Sequence, residues 1–204
     1  EMTSGKCEIR IYDPDFNWVG VVSNAESVQF NRELYGVGTF EIHIHPEKPG
    51  ARELIRRGNI IVINGDGHKS GFVRDVILEE DNEGPRYTVY GLTGQGFADL
   101  RITVPPNQDQ DPNALGWDKI NSNAESVIKH YAGKNMITAY DSKRNIPRLT
   151  MAANKNRGKT FPWKSRYQRL SEELTSIGMY AEMGYEIYAD AANKRWIFDV
   201  IQGA

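Results

Sequence analysis

The stretch Glu8-Ile9-Arg10-Ile11-Tyr12-Asp13-Pro14-Asp15-Phe16-Asn17-Trp18-Val19-Gly20-Val21-Val22 decides how the first half of this chain is read. Two short alternating runs flank a Pro/Asp/Asn cluster, the pattern of a β-hairpin. Cys7, Ile9 and Ile11 fall on one face of the first strand and Glu8, Arg10 and Tyr12 on the other, because successive side chains of a strand point oppositely. Tyr35-Gly36-Val37-Gly38-Thr39-Phe40-Glu41-Ile42-His43-Ile44-His45-Pro46 repeats the alternation, with Phe40, Ile42 and Ile44 on one face and Glu41, His43 and His45 on the other. A strand is expected over 26–34 before it, with Gly36 and Gly38 turning the chain.

Residues 49–58 read as a short helix, with Pro49 at its start and Gly58 just past its end. Ile60-Ile61-Val62-Ile63 is a strand, Gly65-Asp66-Gly67 a hairpin turn into a strand over 72–79, and Asp81-Asn82-Glu83-Gly84-Pro85 a turn into 87–92. Close strands separated by turn signals imply a sandwich or small barrel with one helix inserted. The texture then changes. Pro105-Pro106-Asn107-Gln108-Asp109-Gln110-Asp111-Pro112-Asn113 has no apolar period and reads as a surface loop or linker. Ser122-Asn123-Ala124-Glu125 has the form of a capping box leading into Val127, Ile128 and Tyr131, with Gly133 as the stop. Ser165-Arg166-Tyr167-Gln168 is a second such box, after which Tyr167, Leu170, Leu174, Ile177 and Ala181 recur at three- and four-residue steps, an amphipathic helix. Residues 185–189 and 195–200 form a closing hairpin around Ala192-Asn193-Lys194. The expected class is α+β: a β-rich barrel or sandwich over 6–103, a polar Pro/Asn-rich loop or linker over 104–116, and an α+β domain with two helices and a terminal hairpin over 117–204.

The 204 residues suffice for one large or two small domains with a real core. Lys plus Arg number 25 against 27 Asp plus Glu, a net charge of −2 that argues against bulk binding to nucleic acid or acidic lipid while leaving room for a local basic patch. Apolar runs such as Ile60–Ile63 are far too short to span a bilayer, so no membrane partner is expected, and the N-terminus has no signal-peptide pattern. Glu1-Met2-Thr3-Ser4-Gly5 reads in part as an appended segment, because Glu precedes the Met. The lone Cys7 excludes an intrachain disulfide and a cysteine zinc site, and its place in the strand pattern makes it a small core residue.

The two opening strings resemble the start of a family of minor tail proteins from long-tailed bacteriophages and prophages of Gram-positive bacteria, found at the tail tip in the hub or baseplate. Arg101-Ile102-Thr103-Val104-Pro105-Pro106 is similar to that family's strand-exit segment, Trp163-Lys164-Ser165-Arg166-Tyr167 to a landmark before a helix, and Arg195-Trp196-Ile197-Phe198-Asp199-Val200 with Gly203 to a later hairpin. The resemblance implies a virion structural protein made in the bacterial cytoplasm, assembling with other tail proteins and as a homo-trimer. Family members continue further, so it also implies that ending at Ala204 marks a fragment or short version.

Several patterns look chemical but fit a plain structural role. Gly158-Lys159-Thr160 lacks the earlier glycine of a phosphate loop, since Ala153 stands there. Gly91, Gly94 and Gly96 have the wrong spacing for a dinucleotide turn and no parallel β-α-β unit around them. His43 and His45 share a strand face, yet a metal would need further ligands, with His68, His130 or a carboxylate as candidates, and nothing in the sequence brings those near. Glu79-Glu80-Asp81 and Glu172-Glu173 are adjacent rather than facing pairs, whereas glycosidase chemistry needs carboxylates opposed across a substrate. Lys155, Arg157, Lys159, Lys164, Arg166 and Arg169, with Phe161, Trp163 and Tyr167 interleaved, form one basic–aromatic segment of the kind that meets phosphates and bases. No catalytic, cofactor-binding or metal-ligating residue is assigned, and no cofactor is expected. The expected function is assembly within a phage tail, without enzymatic activity. A carbohydrate- or receptor-binding module of the tail tip is the alternative, a cell-wall hydrolase domain a more distant one, and weak DNA or carbohydrate contact is allowed for.

Overall fold

The computed structural model describes residues 7–107 and 110–202. The opening Glu1–Gly5 segment, Gln108 and Asp109 of the polar loop, and the end at Gly203 and Ala204 lie outside the described residues. The chain forms two compact units: one holds the residues up to Arg32, Val37–Gly94 and Tyr188–Trp196, and the other Glu33–Gly36, Gln95–Ile187 and the residues from Ile197 onward.

The first unit is built on seven strands, β1 (Ile9–Tyr12), β2 (Trp18–Val22), β3 (Ser27–Asn31), β4 (Thr39–Ile44), β5 (Ile60–Ile63), β6 (Asp66–Asp81) and β7 (Gly84–Thr93). They form one antiparallel sheet in the order β2-β1-β5-β6-β7-β4-β3. The order places β2 and β3 at opposite edges, yet only residues 23–26 join Val22 to Ser27. Five residue steps reach at most about 18 Å, whereas six inter-strand spacings amount to about 29 Å in a flat sheet. The sheet therefore curls into a barrel-like shape whose edges approach each other. Ile9, Ile11, Val22, Phe40, Ile42, Ile44, Ile61 and Ile63 fill its interior, as the alternation predicts, and Cys7 packs half-buried beside them. The helix expected over 49–58 is a single turn, α1 (Ala51–Leu54), which buries Ala51 and Leu54 in the same core.

One turn differs from the sequence reading, and the opening hairpin turns within its Pro/Asp/Asn cluster as expected. The β5–β6 turn is Asn64-Gly65, one residue earlier than expected, and both residues have positive φ (51° and 71°), the backbone that a two-residue hairpin loop demands. The β6 strand consequently starts at Asp66. In the opening hairpin, the Asp13 carboxylate accepts from the backbone N–H groups of Asp15 and Asn17, both at 2.9 Å. The same turn sets Phe16 at φ 60° with its ring buried. Gly91 of β7 is a matter of space: a Cβ there would stand 2.0 Å from Phe40 Cζ and 2.4 Å from the Phe72 carbonyl oxygen. Gly91→Ala is expected to cost about 1–3 kcal/mol in a urea melt, as overpacked core sites do. An unchanged midpoint would mean that the Phe40 ring does not cover that strand.

The second unit contains β8 (Asp118–Asn123), α2 (Ala124–Ala132), β9 (Leu149–Met151), β10 (Thr160–Ser165) and α3 (Leu170–Ala181). β8 pairs antiparallel with β10, and β9 joins the hairpin of β11 (Met183–Asp190) and β12 (Arg195–Gln202) in a sheet ordered β11-β12-β9. β8, β9 and β10 are additions to the sequence reading, and both expected capping boxes resolve differently. Asn123 caps α2, its side chain accepting from Ser126 N–H at 3.0 Å, while Ser122 lies in β8. Ser165 ends β10 and bonds Thr103 at 2.8 Å, and α3 begins only at Leu170. Leu170, Leu174, Ile177 and Ala181 form the buried stripe that faces α2, but Tyr167 precedes the helix at φ 52° and is exposed. Gly133 does not stop α2: the chain winds on as a π-type turn over Gly133–Ile137.

Candidate functional site

The four histidines go to separate places. His43 meets Glu41 at 2.5 Å, His45 Nδ1 accepts from Glu47 N–H, His68 stacks on Tyr188 at 4.3 Å, and His130 pairs with Asp118 at 2.7 Å. Among the described residues no three His, Cys, Asp or Glu side chains gather as a metal site. Gly158 has φ 87°, and a Cβ there would come within 2.6 Å of the Ala124 Cβ, so this glycine serves close packing at the start of α2. Glu79 and Glu80 lie exposed on β6, with the Asp81 side chain outside the described residues. Glu172 meets Arg169 at 3.4 Å, and Glu173 accepts from the Trp163 indole N–H.

The basic–aromatic segment divides into structural and exposed members. Phe161 is buried, and its ring meets Tyr180 edge-on at 4.9 Å. Arg157 is committed to Glu125 and to the Val200 carbonyl. Three of the exposed cations lie over rings, Lys159 over Tyr180 at 4.0 Å, Lys164 over Trp117 at 4.8 Å, and Arg166 over Trp117 and Tyr167 at 5.8 and 5.4 Å, while Lys155 and Arg169 are exposed elsewhere on the segment. Each such contact holds its charge in place with about 0.5–1 kcal/mol at an exposed position. Beside them, Ile120, Pro162 and Trp163 floor a shallow groove of about 480 Å³ along the β8–β10 ladder. A fixed row of cations next to an apolar strip can grip an anionic or planar partner.

A second cleft of about 440 Å³ is walled by Pro105, Pro106 and Tyr140 and contains His130. Asp118 is nearly buried and holds the His130 Nε2 edge, while the Tyr131 hydroxyl donates to the Asp118 carbonyl at 2.8 Å. This pair can orient an imidazole, but its sole hydrogen-bond partner among the described residues is Asp118.

One cluster escaped the sequence reading. Glu125 is fully buried and accepts from Lys129 Nζ at 2.8 Å and Arg157 Nε at 2.9 Å, while Lys129 also reaches Asp199 at 3.2 Å and the carbonyls of Ala152 and Ala153. Burial opposes charge on Glu125, but hydrogen bonds from Arg157, Lys129 and two backbone N–H groups outweigh it and hold the carboxyl down at about 2. Two carboxylates and two cations close this quartet, so it fastens α2 to β12 and the segment before β10 and offers nothing to a ligand. Among the described residues no helix is long and apolar enough to cross a membrane.

Comparison with solved structures gives the fold a context. A tail protein from Neisseria meningitidis MC58 matches over 95% of this chain and 50% of its own, with 12% identity and a TM-score of 0.55. Prophage tail protein gp18 from Listeria monocytogenes EGD-e matches over 94% and 50%, with 7% identity and a TM-score of 0.51. The 43 kDa tail protein of prophage MuSo2 from Shewanella oneidensis matches over 94% and 52%, with 11% identity and a TM-score of 0.50. The chain thus spans about half the length of these proteins and has their fold. No curated protein matches it in sequence. The model of the Siphovirus ReqiPepy6 Gp37-like proteins matches residues 8–204, nearly the whole chain, and the protein belongs to that phage family.

Proposed function

We propose that this chain is a non-enzymatic structural component of a phage or prophage tail, in the hub or baseplate, that acts by assembly with other tail proteins. The observation that carries this is the family match over residues 8–204. Copies associate as trimers, the protein resides in the virion after synthesis in the bacterial cytoplasm, and any contact with DNA or carbohydrate is weak and secondary to assembly. The test is direct. Mass spectrometry and antibody labelling of purified particles should place the protein at the tail tip, and deleting its gene should stop tail completion. Particles that lack the protein, or complete tails without its gene, would overturn the assignment. Incubation with Gram-positive cell walls should release no sugar or peptide above a heat-treated control; release abolished by a single carboxylate substitution would make the chain a hydrolase.

The Trp163 groove favours a second reading, a carbohydrate-binding module, because a Trp face beside a Pro and an Ile suits the apolar face of a sugar ring. Retention on immobilised cell-wall glycan, lost in Trp163→Ala, would move that reading to first place.

A further inference from the structure

The β6–β7 ribbon outruns the rest of its sheet. β4 flanks β7 only over Tyr87–Leu92, and β5 flanks β6 only up to Phe72, so around Glu79–Arg86 the two strands have only each other. This stretch bears Glu79 and Glu80, both exposed and without an ion pair among the described residues, and Glu83, which meets Arg86 at 3.4 Å. Arg86 also reaches Glu26 at 2.8 Å. Just behind the acids, Ile77 and Leu78 are 42% and 61% exposed. A two-stranded arm tipped with carboxylates and exposed aliphatics has the makings of one half of a contact.

The second unit carries a surface of the opposite kind, a shallow groove of about 530 Å³ lined by Arg101, Lys143, Arg144 and Arg169 together with Leu100, Ile102 and a single acid, Asp99. Leu100 and Ile102 are 45% and 47% exposed. Its central cations are fixed by carbonyls instead of acids: Arg101 donates to the carbonyls of Arg144 (2.6 Å) and Leu100 (2.9 Å), and Arg144 donates to the Ile102 carbonyl (2.6 Å) and Asn135 Oδ1 (3.3 Å). Carbonyls orient a guanidinium without cancelling its charge. The nearby acids are Asp99, occupied by the Ser171 hydroxyl, Glu172, paired with Arg169, and Asp141, whose charge is felt by Arg144. Positive charge is in excess.

We propose that the acidic, aliphatic tip of the β6–β7 ribbon of one copy docks into the Arg101–Arg144 groove of a second copy. Carboxylates meet fixed arginine forks, the pairing with the best geometry for bidentate bonds, and Leu78, which shares a strand face with Glu80, covers Leu100 and Ile102. Because the two halves are different surfaces of the same chain, the contact is heterologous and closes into a ring when its rotation permits. A protein segment fits better than nucleic acid, because the groove offers aliphatic walls and no ring for a base to stack on. The inference rests on the assembly role proposed above and names its contact surface.

Two variants test it. Glu79→Lys with Glu80→Lys reverses the tip and leaves the groove intact; Lys143→Glu with Arg169→Glu reverses the groove and leaves the tip intact. All four side chains are exposed, and circular dichroism checks that both variants keep the fold. In sedimentation velocity up to millimolar protein, the unaltered chain should self-associate and each variant should stay monomeric. The equimolar mixture should associate again, since the intact tip of one variant then meets the intact groove of the other. A mixture no heavier than its components, or a variant that associates like the unaltered chain, overturns the contact while leaving tail assembly standing. An unaltered chain that is monomeric throughout but binds duplex DNA through a groove-dependent contact also overturns it and gives the groove to phosphate. A chain that neither self-associates nor appears in purified tails removes both this contact and the assembly role.

Discussion

Glu125→Ala is expected to destabilise the second unit by about 3–5 kcal/mol, the cost of leaving buried cations without their partner. The substitution strands Lys129, itself nearly buried, and removes the carboxylate that receives both the side chain and the backbone N–H of Arg157. The same residue gives the protein an acid limit. Its folded carboxyl titrates at about 2, against an ordinary glutamate value of about 4.3. The unfolded chain therefore takes up the proton first as pH falls. Stability from this site is full above the ordinary value and drains away on descent towards the folded one. Urea midpoints measured between neutral pH and pH 2 should fall through that window, and Glu125→Gln should flatten the fall while lowering the neutral-pH plateau. A variant whose midpoints track those of the unaltered protein at every pH would show that the quartet is solvated.

This cluster also marks where the sequence stops being legible. Ser122-Asn123-Ala124-Glu125 reads as a capping box because the local pattern is all that spacing can weigh, whereas the partner that decides the role of Glu125 is Arg157, 32 residues downstream. Period-2 alternation did transmit the barrel: Ile9 and Ile11, and Phe40, Ile42 and Ile44, face inward as their spacing requires, since a one-residue slip would expose the whole set. It could not reveal β8 and β10, Asp-Lys-Ile-Asn-Ser-Asn and Thr-Phe-Pro-Trp-Lys-Ser, which are polar or interrupted by Pro162 and exist as strands because each supplies the other's ladder. A proline is tolerated there because a two-stranded sheet has only edge strands. The candidate surfaces divide in the same way. The basic–aromatic segment was visible as composition, but which of its cations are free was not: Arg157 is consumed inside, while Lys164 and Arg166 ride outward on Trp117. The Arg101–Arg144 groove left no local trace, since its cations come from three separate segments.

Trp196→Ala should be the most costly truncation in the first unit, about 3–5 kcal/mol, as for other buried tryptophans. Trp196 lies on β12 at 2% exposure and belongs to the short Tyr188–Trp196 segment that joins the first unit from far along the chain. Its ring meets Phe16 edge-on, with centroids 5.4 Å apart. Phe16 is there because the opening turn forces it: its N–H donates to the Asp13 carbonyl at 2.9 Å, and the backbone takes a left-handed bend that aims the ring inward. The turn that shapes the first hairpin and the tryptophan of the last hairpin thus form one contact, worth about 0.5–1.5 kcal/mol beyond the area it buries. Phe16→Ala should lose stability as well, and the double variant should lose less than the sum of the singles, because neighbouring residues couple by about 0.5–3 kcal/mol. Hydrogen exchange gives the same answer locally: amides of β1 and β2 should lose protection in Trp196→Ala although the substitution lies far from them in sequence. Strict additivity with unchanged β1 protection would mean that the opening hairpin holds its shape alone, and that the returning segment contributes nothing to the barrel.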